Sequence, residues 1–185
     1  TEELIKKGYD MMIVSRKEGD LPKLREKYKD ANIEFASYNL IQEEECFRLL
    51  EDTKEIDFDL FVNNAGFGDI GRITKTDIRK EIDMVKLNDI ATLILVKEFL
   101  KRFIAKDKGR VLTVASAAAF AVAPYMNVYY ASKSFVYSLA HGYHRENDKQ
   151  TNRVYTLSTI CCDKRCTHDF LYLPLGSTLL YIYKW

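Results

Sequence analysis

Tyr129 and Lys133 stand four residues apart in the stretch YYASK. On a helix such a pair shares one face. A free tyrosine, with a pKa of about 10, exchanges protons poorly at neutral pH. An ammonium group one turn away favours the phenolate. The tyrosine can then give a proton to a carbonyl oxygen or take one from an alcohol. The chain has 12 tyrosines, and Tyr129 is the one with a lysine four residues on. Alone, the pair also reads as a polar edge on a helix. Ser116, 13 residues earlier, follows an apolar run and precedes the small-residue stretch AAAFAVAP. A hydroxyl there can donate to a developing oxyanion, or simply cap a turn. Asn63-Asn64-Ala65-Gly66-Phe67-Gly68 closes another apolar run. Small residues let a backbone approach a ligand, and Asn amides tie neighbouring strands or hold a loop.

The elements that must position these groups alternate in kind. MMIVS (11–15), IEFAS (33–37), DLFVN (59–63), RVLTVAS (110–116) and VYTLSTI (154–160) are short, apolar and β-branched, and read as buried strands. Between them lie helix-length stretches at 21–30, 43–55, 77–106 and 134–147. The alternation predicts an α/β fold, a mainly parallel, doubly wound sheet with helices on both faces. In such sheets ligands bind beyond the carboxyl ends of the strands, which is where the residues above fall.

With 185 residues and a net charge of +1, the chain suits one domain with a real core. That charge gives no attraction for nucleic acid. No apolar run reaches the roughly 20 residues of a membrane span. The charged opening TEELIKKGYD does not read as a signal peptide, so a cytoplasmic location is expected. Cysteines stand at 46, 161, 162 and 166. With His168 the last two could be drawn as a metal cluster, but structural zinc sites use two separated ligand pairs. Reduced thiols and no metal are the expectation.

Taken together, Asn-Asn-Ala-Gly at one strand end, Asn88 within the long helical stretch, Ser116 at the next strand end and Tyr129-x3-Lys133 resemble the short-chain dehydrogenase/reductase family. The segment GRVLTVASAAAFAVAPYMNVYYASKSFV matches that family's core pattern almost without interruption. The resemblance implies a Rossmann-like fold over residues 1–160, a partial NAD(P)-binding domain, with 161–185 as a divergent tail. It implies a carbonyl reduction or alcohol oxidation in which Tyr129 is the general acid. Lys133 would lower the tyrosine's pKa and hold the cofactor's ribose. Ser116 would bond the substrate oxygen, and Asn88 would hold a water linking Lys133 to solvent. Asn63, Ala65 and Gly66 would line the adenosine side, with Asn39 and Leu40 facing adenine. Pro124 and Tyr125 would lie near the substrate. Family members often pair through the two long helices, so a homodimer or homotetramer is expected.

Cofactor choice follows from charge. In dinucleotide-binding folds a carboxylate at the end of the second strand holds the ribose hydroxyl of NAD. Here that strand ends IVSRKEG, with Arg16 and no carboxylate. A guanidinium suits a phosphate, so NADP(H) is preferred over NAD(H).

Two departures from the pattern stand out. The family opens with a strand and a glycine-rich turn whose backbone meets the pyrophosphate, whereas TEELIKKGYD reads as the end of the following helix. Absence of that central strand would leave its neighbours with unpaired backbone groups. After VYTLSTI the family's Pro-Gly turn does not appear, and the tail FLYLPLGSTLLYIYKW reads as a truncated or frame-shifted end. The competing expectation is therefore a non-catalytic remnant of such an enzyme.

Overall fold

A computed structural model of the protein describes residues 2–147, 154–159 and 180–184. The stretch holding Cys161, Cys162, Cys166 and His168 lies outside the described residues. Six strands form one sheet: β1 (Asp10–Ser15), β2 (Ile33–Ser37), β3 (Leu60–Asn63), β4 (Gly109–Val114), β5 (Val154–Thr159) and β6 (Leu180–Lys184). The order across the sheet is β2-β1-β6-β3-β4-β5. β1 pairs with β2, β3 with β4 and β4 with β5, all parallel.

Side chains of β1 alternate between two cores. Met11 and Ile13 join Ile5, Leu21, Ile33 and Val62 on one face, while Val14 joins Leu40, Leu49, Phe61, Leu95, Phe99 and Phe103 on the other. This period-two division requires cover on both sides. Helices α1 (Glu2–Lys6) and α2 (Leu21–Lys27) supply residues to the first core, α3 (Glu43–Asp52) and α5 (Thr92–Ala105) to the second. The rings of Phe61 and Phe99 stack with centroids 4.2 Å apart, fixing α5 on β3.

Two features differ from the sequence-based expectation. The stretch expected as one helix over 77–106 is divided. Asp77 caps α4 (Ile78–Val85) by accepting a hydrogen bond from the Arg79 amide. A π-helical turn, Lys86–Ala91, then separates α4 from α5. The extra residue in such a turn turns a side chain out of the regular helical phase. The second difference is β6. Instead of a gap between β1 and β3, the tail segment LYIYK runs antiparallel to both. The hydrogen-bonding edges of β1 and β3 face each other across one strand's width, and an alternating apolar segment satisfies both.

Candidate active site

The parallel strands align their carboxyl ends along one edge. Ser15 lies level with Ser37, Asn63 with Thr113, and Val114 with Thr159. Arg16, Asn39, Asn64, Gly66 and Ser116 follow directly from these ends. Ser116 is extended and opens a short 3-10 turn (Ala117–Phe120), where its Oγ accepts from the Ala118 amide at 3.2 Å. The hydroxyl proton is therefore left to be donated elsewhere.

Helix α6 (Asn127–Asn147) brings Tyr129 and Lys133 to this edge on successive turns. Its attachment is specific. Lys133 Nζ donates to the Val114 carbonyl at 3.3 Å, and Ser134 Oγ donates to the Ala119 carbonyl at 3.0 Å. Ser116 lies between these two anchor points, so the strand end that carries it is clamped to the helix that carries the Tyr-Lys pair. The Lys133 ammonium stands 5.9 Å from the centroid of the Tyr129 ring.

Asn88, in the π turn, completes the arrangement. Its Nδ2 donates to the Phe67 carbonyl at 2.9 Å and to Ser132 Oγ at 3.0 Å, and its Oδ1 accepts from the Phe67 amide at 3.0 Å. Ser132 in turn donates to the Tyr129 carbonyl at 2.8 Å. One amide side chain thus joins the loop after β3 to the first turns of α6. The loop's small residues are required by space. A Cβ on Gly66 would come within 2.9 Å of Asn88 Oδ1, and one on Gly68 within 2.9 Å of Tyr129 Cδ2. Two flanking loops also touch, since the Gly71 amide donates to the Tyr125 carbonyl at 2.7 Å. Tyr125 takes a left-handed φ of 71° to present it.

The site's electrostatics centre on a residue that sequence reasoning passed over. Asp89 follows Asn88 in the π turn and is buried. Burial pushes its carboxyl up to about 6, against the opposing pull of the Lys133 charge. Its signal was available, an acidic residue inside the apolar helical run LNDIA. Ser132, the bridge between Asn88 and Tyr129, was likewise overlooked, because serine within a helix is usually unremarkable.

The remaining expected residues divide by position. Arg16 is exposed just beyond β1, and its carbonyl accepts from Ser37 Oγ at 3.5 Å. Asn39 is half-buried, and its Oδ1 is buried without a hydrogen-bond partner. Leu40 is packed into the core beside Val14 and Leu87, which leaves backbone rather than side chain at the edge. Ala65 is buried and Gly66 half-buried. Asn63 donates to Thr92 Oγ1 at 2.9 Å, tying β3 to α5. Pro124 and Tyr125 are exposed in the loop before α6. Among the described residues no glycine-rich turn opens a helix to meet a pyrophosphate. No helix among them is long and apolar enough to cross a membrane.

Known proteins similar to this chain in sequence or fold are numerous. The chain is 28% identical over 173 residues to an uncharacterized oxidoreductase of Staphylococcus saprophyticus, covering 91% of this chain and 74% of that protein. It is 26% identical over 166 residues to a 7β-hydroxysteroid dehydrogenase of Mediterraneibacter gnavus, covering 85% and 62%. Among solved structures, a bulky-bulky ketone specific alcohol dehydrogenase from Comamonas testosteroni superposes with a TM-score of 0.78 at 24% identity, covering 86% of this chain and 65% of that one. The chain thus spans less than two thirds of the steroid dehydrogenase and of the alcohol dehydrogenase. The family model described as short chain dehydrogenase matches residues 1–169, and on that match the protein belongs to the short-chain dehydrogenase family.

Proposed function

We propose that the protein is an NADP(H)-linked oxidoreductase that reduces a carbonyl or oxidises the matching alcohol. The observation that carries this reading is the joining of Tyr129, Lys133 and Asn88 at the strand edge that presents Ser116. When bound, the reduced nicotinamide supplies the hydride. This chain supplies position and proton transfer. Ser116 donates a hydrogen bond to the substrate oxygen, polarising the carbonyl. The Tyr129 hydroxyl passes its proton to that oxygen as negative charge develops there. The Lys133 ammonium stabilises the phenolate left behind and holds the ribose. Asn88 fixes the Gly66–Gly68 loop and, with its remaining Oδ1 lone pair, holds a water on the path from Lys133 to solvent.

Arg16 supports the preference for a 2′-phosphate, since it is exposed at the end of β1 and the nearby Glu18 carboxylate is paired with Arg25. A short-chain dehydrogenase from Sphingobium yanoikuyae, similar in fold at a TM-score of 0.77, is described in complex with NADPH. The substrate side is apolar. Phe120, Val122 and Tyr125 stand exposed after Ser116, and Ile70 and Ile73 on the loop joined to Tyr125. This composition suits a bulky apolar ketone or its alcohol. Exposed Ile78, Ile82 and Val85 on α4 with Phe135 on α6 support pairing with a second copy.

A non-catalytic role is the competing reading, since among the described residues no glycine-rich turn opens a helix to meet a pyrophosphate. One experiment separates the two. NADPH fluorescence is titrated with the purified chain, and Tyr129→Phe is assayed beside it with an apolar ketone. Saturable binding by both proteins, tighter for NADPH than for NADH, with turnover in the parent only, is expected. No binding at high protein concentration supports the non-catalytic reading, and turnover by Tyr129→Phe removes the tyrosine from its assigned role.

A further inference from the structure

Tyr125 is strained for no reason that its side chain supplies. Its φ of 71° lies in the left-handed region, which a bulky residue adopts only where its surroundings impose it. The ring is 48% exposed, so burial of the ring does not hold the backbone there. What the conformation achieves is the aim of the carbonyl, which accepts from the Gly71 amide at 2.7 Å. Among the described residues this is the one hydrogen bond that ties the backbone of 121–125 to another loop.

Each partner is anchored on its far side. Before Gly71, Asp69 pairs with Lys80 of α4 at 2.6 Å. A Cβ on Gly71 itself would meet Thr76 Cγ2 at 2.8 Å, so the turn that presents the amide is closely packed. Before Tyr125, Ser134 holds the Ala119 carbonyl, and Phe120 meets Tyr137 edge-on with centroids 4.4 Å apart. The bond therefore closes a circuit. It runs from Gly68 to Gly71, across to Tyr125, along the chain to Tyr129, and back from the Tyr129 ring to Gly68, where the ring leaves no room for a Cβ.

We propose that Tyr125 is a positioning residue for Tyr129: its left-handed backbone latches the two loops together and so keeps the Gly68 backbone against the Tyr129 ring. Relaxed to a negative φ, Tyr125 would turn its carbonyl away from Gly71, and the loop after β3 would be free to lift from the ring. The effect on turnover rests on the role given to Tyr129 above; the latch itself does not.

Two substitutions at one position test the latch on the whole chain. Tyr125→Gly and Tyr125→Pro both remove the ring. Glycine takes a positive φ freely, whereas proline is fixed at about −65°. Ring-labelled tyrosine is followed by carbon NMR, and exchange of the Gly71 amide by proton NMR. In Tyr125→Pro the Tyr129 ring signals are expected to move and the Gly71 amide to lose its protection, while Tyr125→Gly keeps both as in the parent. Tyr129 ring signals that are the same in the two variants overturn the proposal. Should Tyr125→Pro fail to fold, Tyr125→Ala replaces it, since alanine also lacks the ring but resists a positive φ. Slower Gly71 exchange in Tyr125→Gly than in Tyr125→Ala then supports the latch, and equal exchange overturns it. With turnover in the parent, kcat of Tyr125→Pro is expected about tenfold or more below that of Tyr125→Gly, and equal kcat values overturn the positioning role. A parent without turnover sinks the catalytic reading and leaves the NMR comparison to decide the latch, so the two failures are separately visible.

Discussion

Tyr129 is confined on one side by Gly68, whose missing side chain leaves room for the ring. Alanine there would place a methyl group 2.9 Å from Cδ2, well inside van der Waals contact, and that atom is held between the backbone and the hydroxyl. We expect Gly68→Ala to lower kcat at least tenfold, by turning the ring away from the substrate oxygen, while thermal stability changes little. Parallel turnover and melting measurements check this, and unchanged kcat would show that the ring has slack. At this scale the sequence was informative where chemistry and spacing coincide. Tyr129 and Lys133 declare themselves because four residues is one helical turn, and Ser116 because it ends a β-branched run. Gly68, Ser132 and Asp89 act through neighbours distant in sequence, such as Asn88 bonding across 44 positions to Ser132. No local pattern carries that information.

Among the elements, the π turn at Lys86–Ala91 does the positioning. Periodicity indicated helix throughout 77–106, because apolar residues recur on a helical face both before and after the turn. The break comes from contacts outside the helix, where Asn88 satisfies both backbone groups of Phe67. Asn88→Ala removes three hydrogen bonds and leaves the Phe67 amide and carbonyl without these partners. A cost of about 2–3 kcal/mol is expected, read as a shift in the urea midpoint, together with weaker cofactor binding as the Gly66–Gly68 loop loosens. A midpoint within error of the parent would mean that water replaces the amide fully. The five strands expected from the sequence all form, since each is an apolar run bounded by polar or small residues.

For the whole molecule, the parallel arrangement was legible from alternating strand and helix signals, but the middle of the sheet was not. β6 lies between β1 and β3 in space, though more than 115 residues separate it from β3 along the chain. LYIYK has ordinary strand composition, and only the unfilled edges of β1 and β3 give it a place. Ending the chain before Leu180 exposes both edges. We expect such a chain to lose its cooperative thermal transition and the slow hydrogen exchange of β3 amides. Retention of both would show that β6 adds nothing to the sheet.

The position of β6 also bears on how the protein is made. Ribosomes release polypeptides amino end first, so among the described strands β1 through β5 emerge before β6, which pairs with both β1 and β3. Pairings between distant parts of a chain form slowly. Until Leu180–Lys184 arrive, the pairings that β6 makes with β1 and β3 are unmade, and an unpaired ladder can recruit a strand from another molecule. Yield in a cell should then depend on chaperone supply during that interval, more than on the strength of the finished fold.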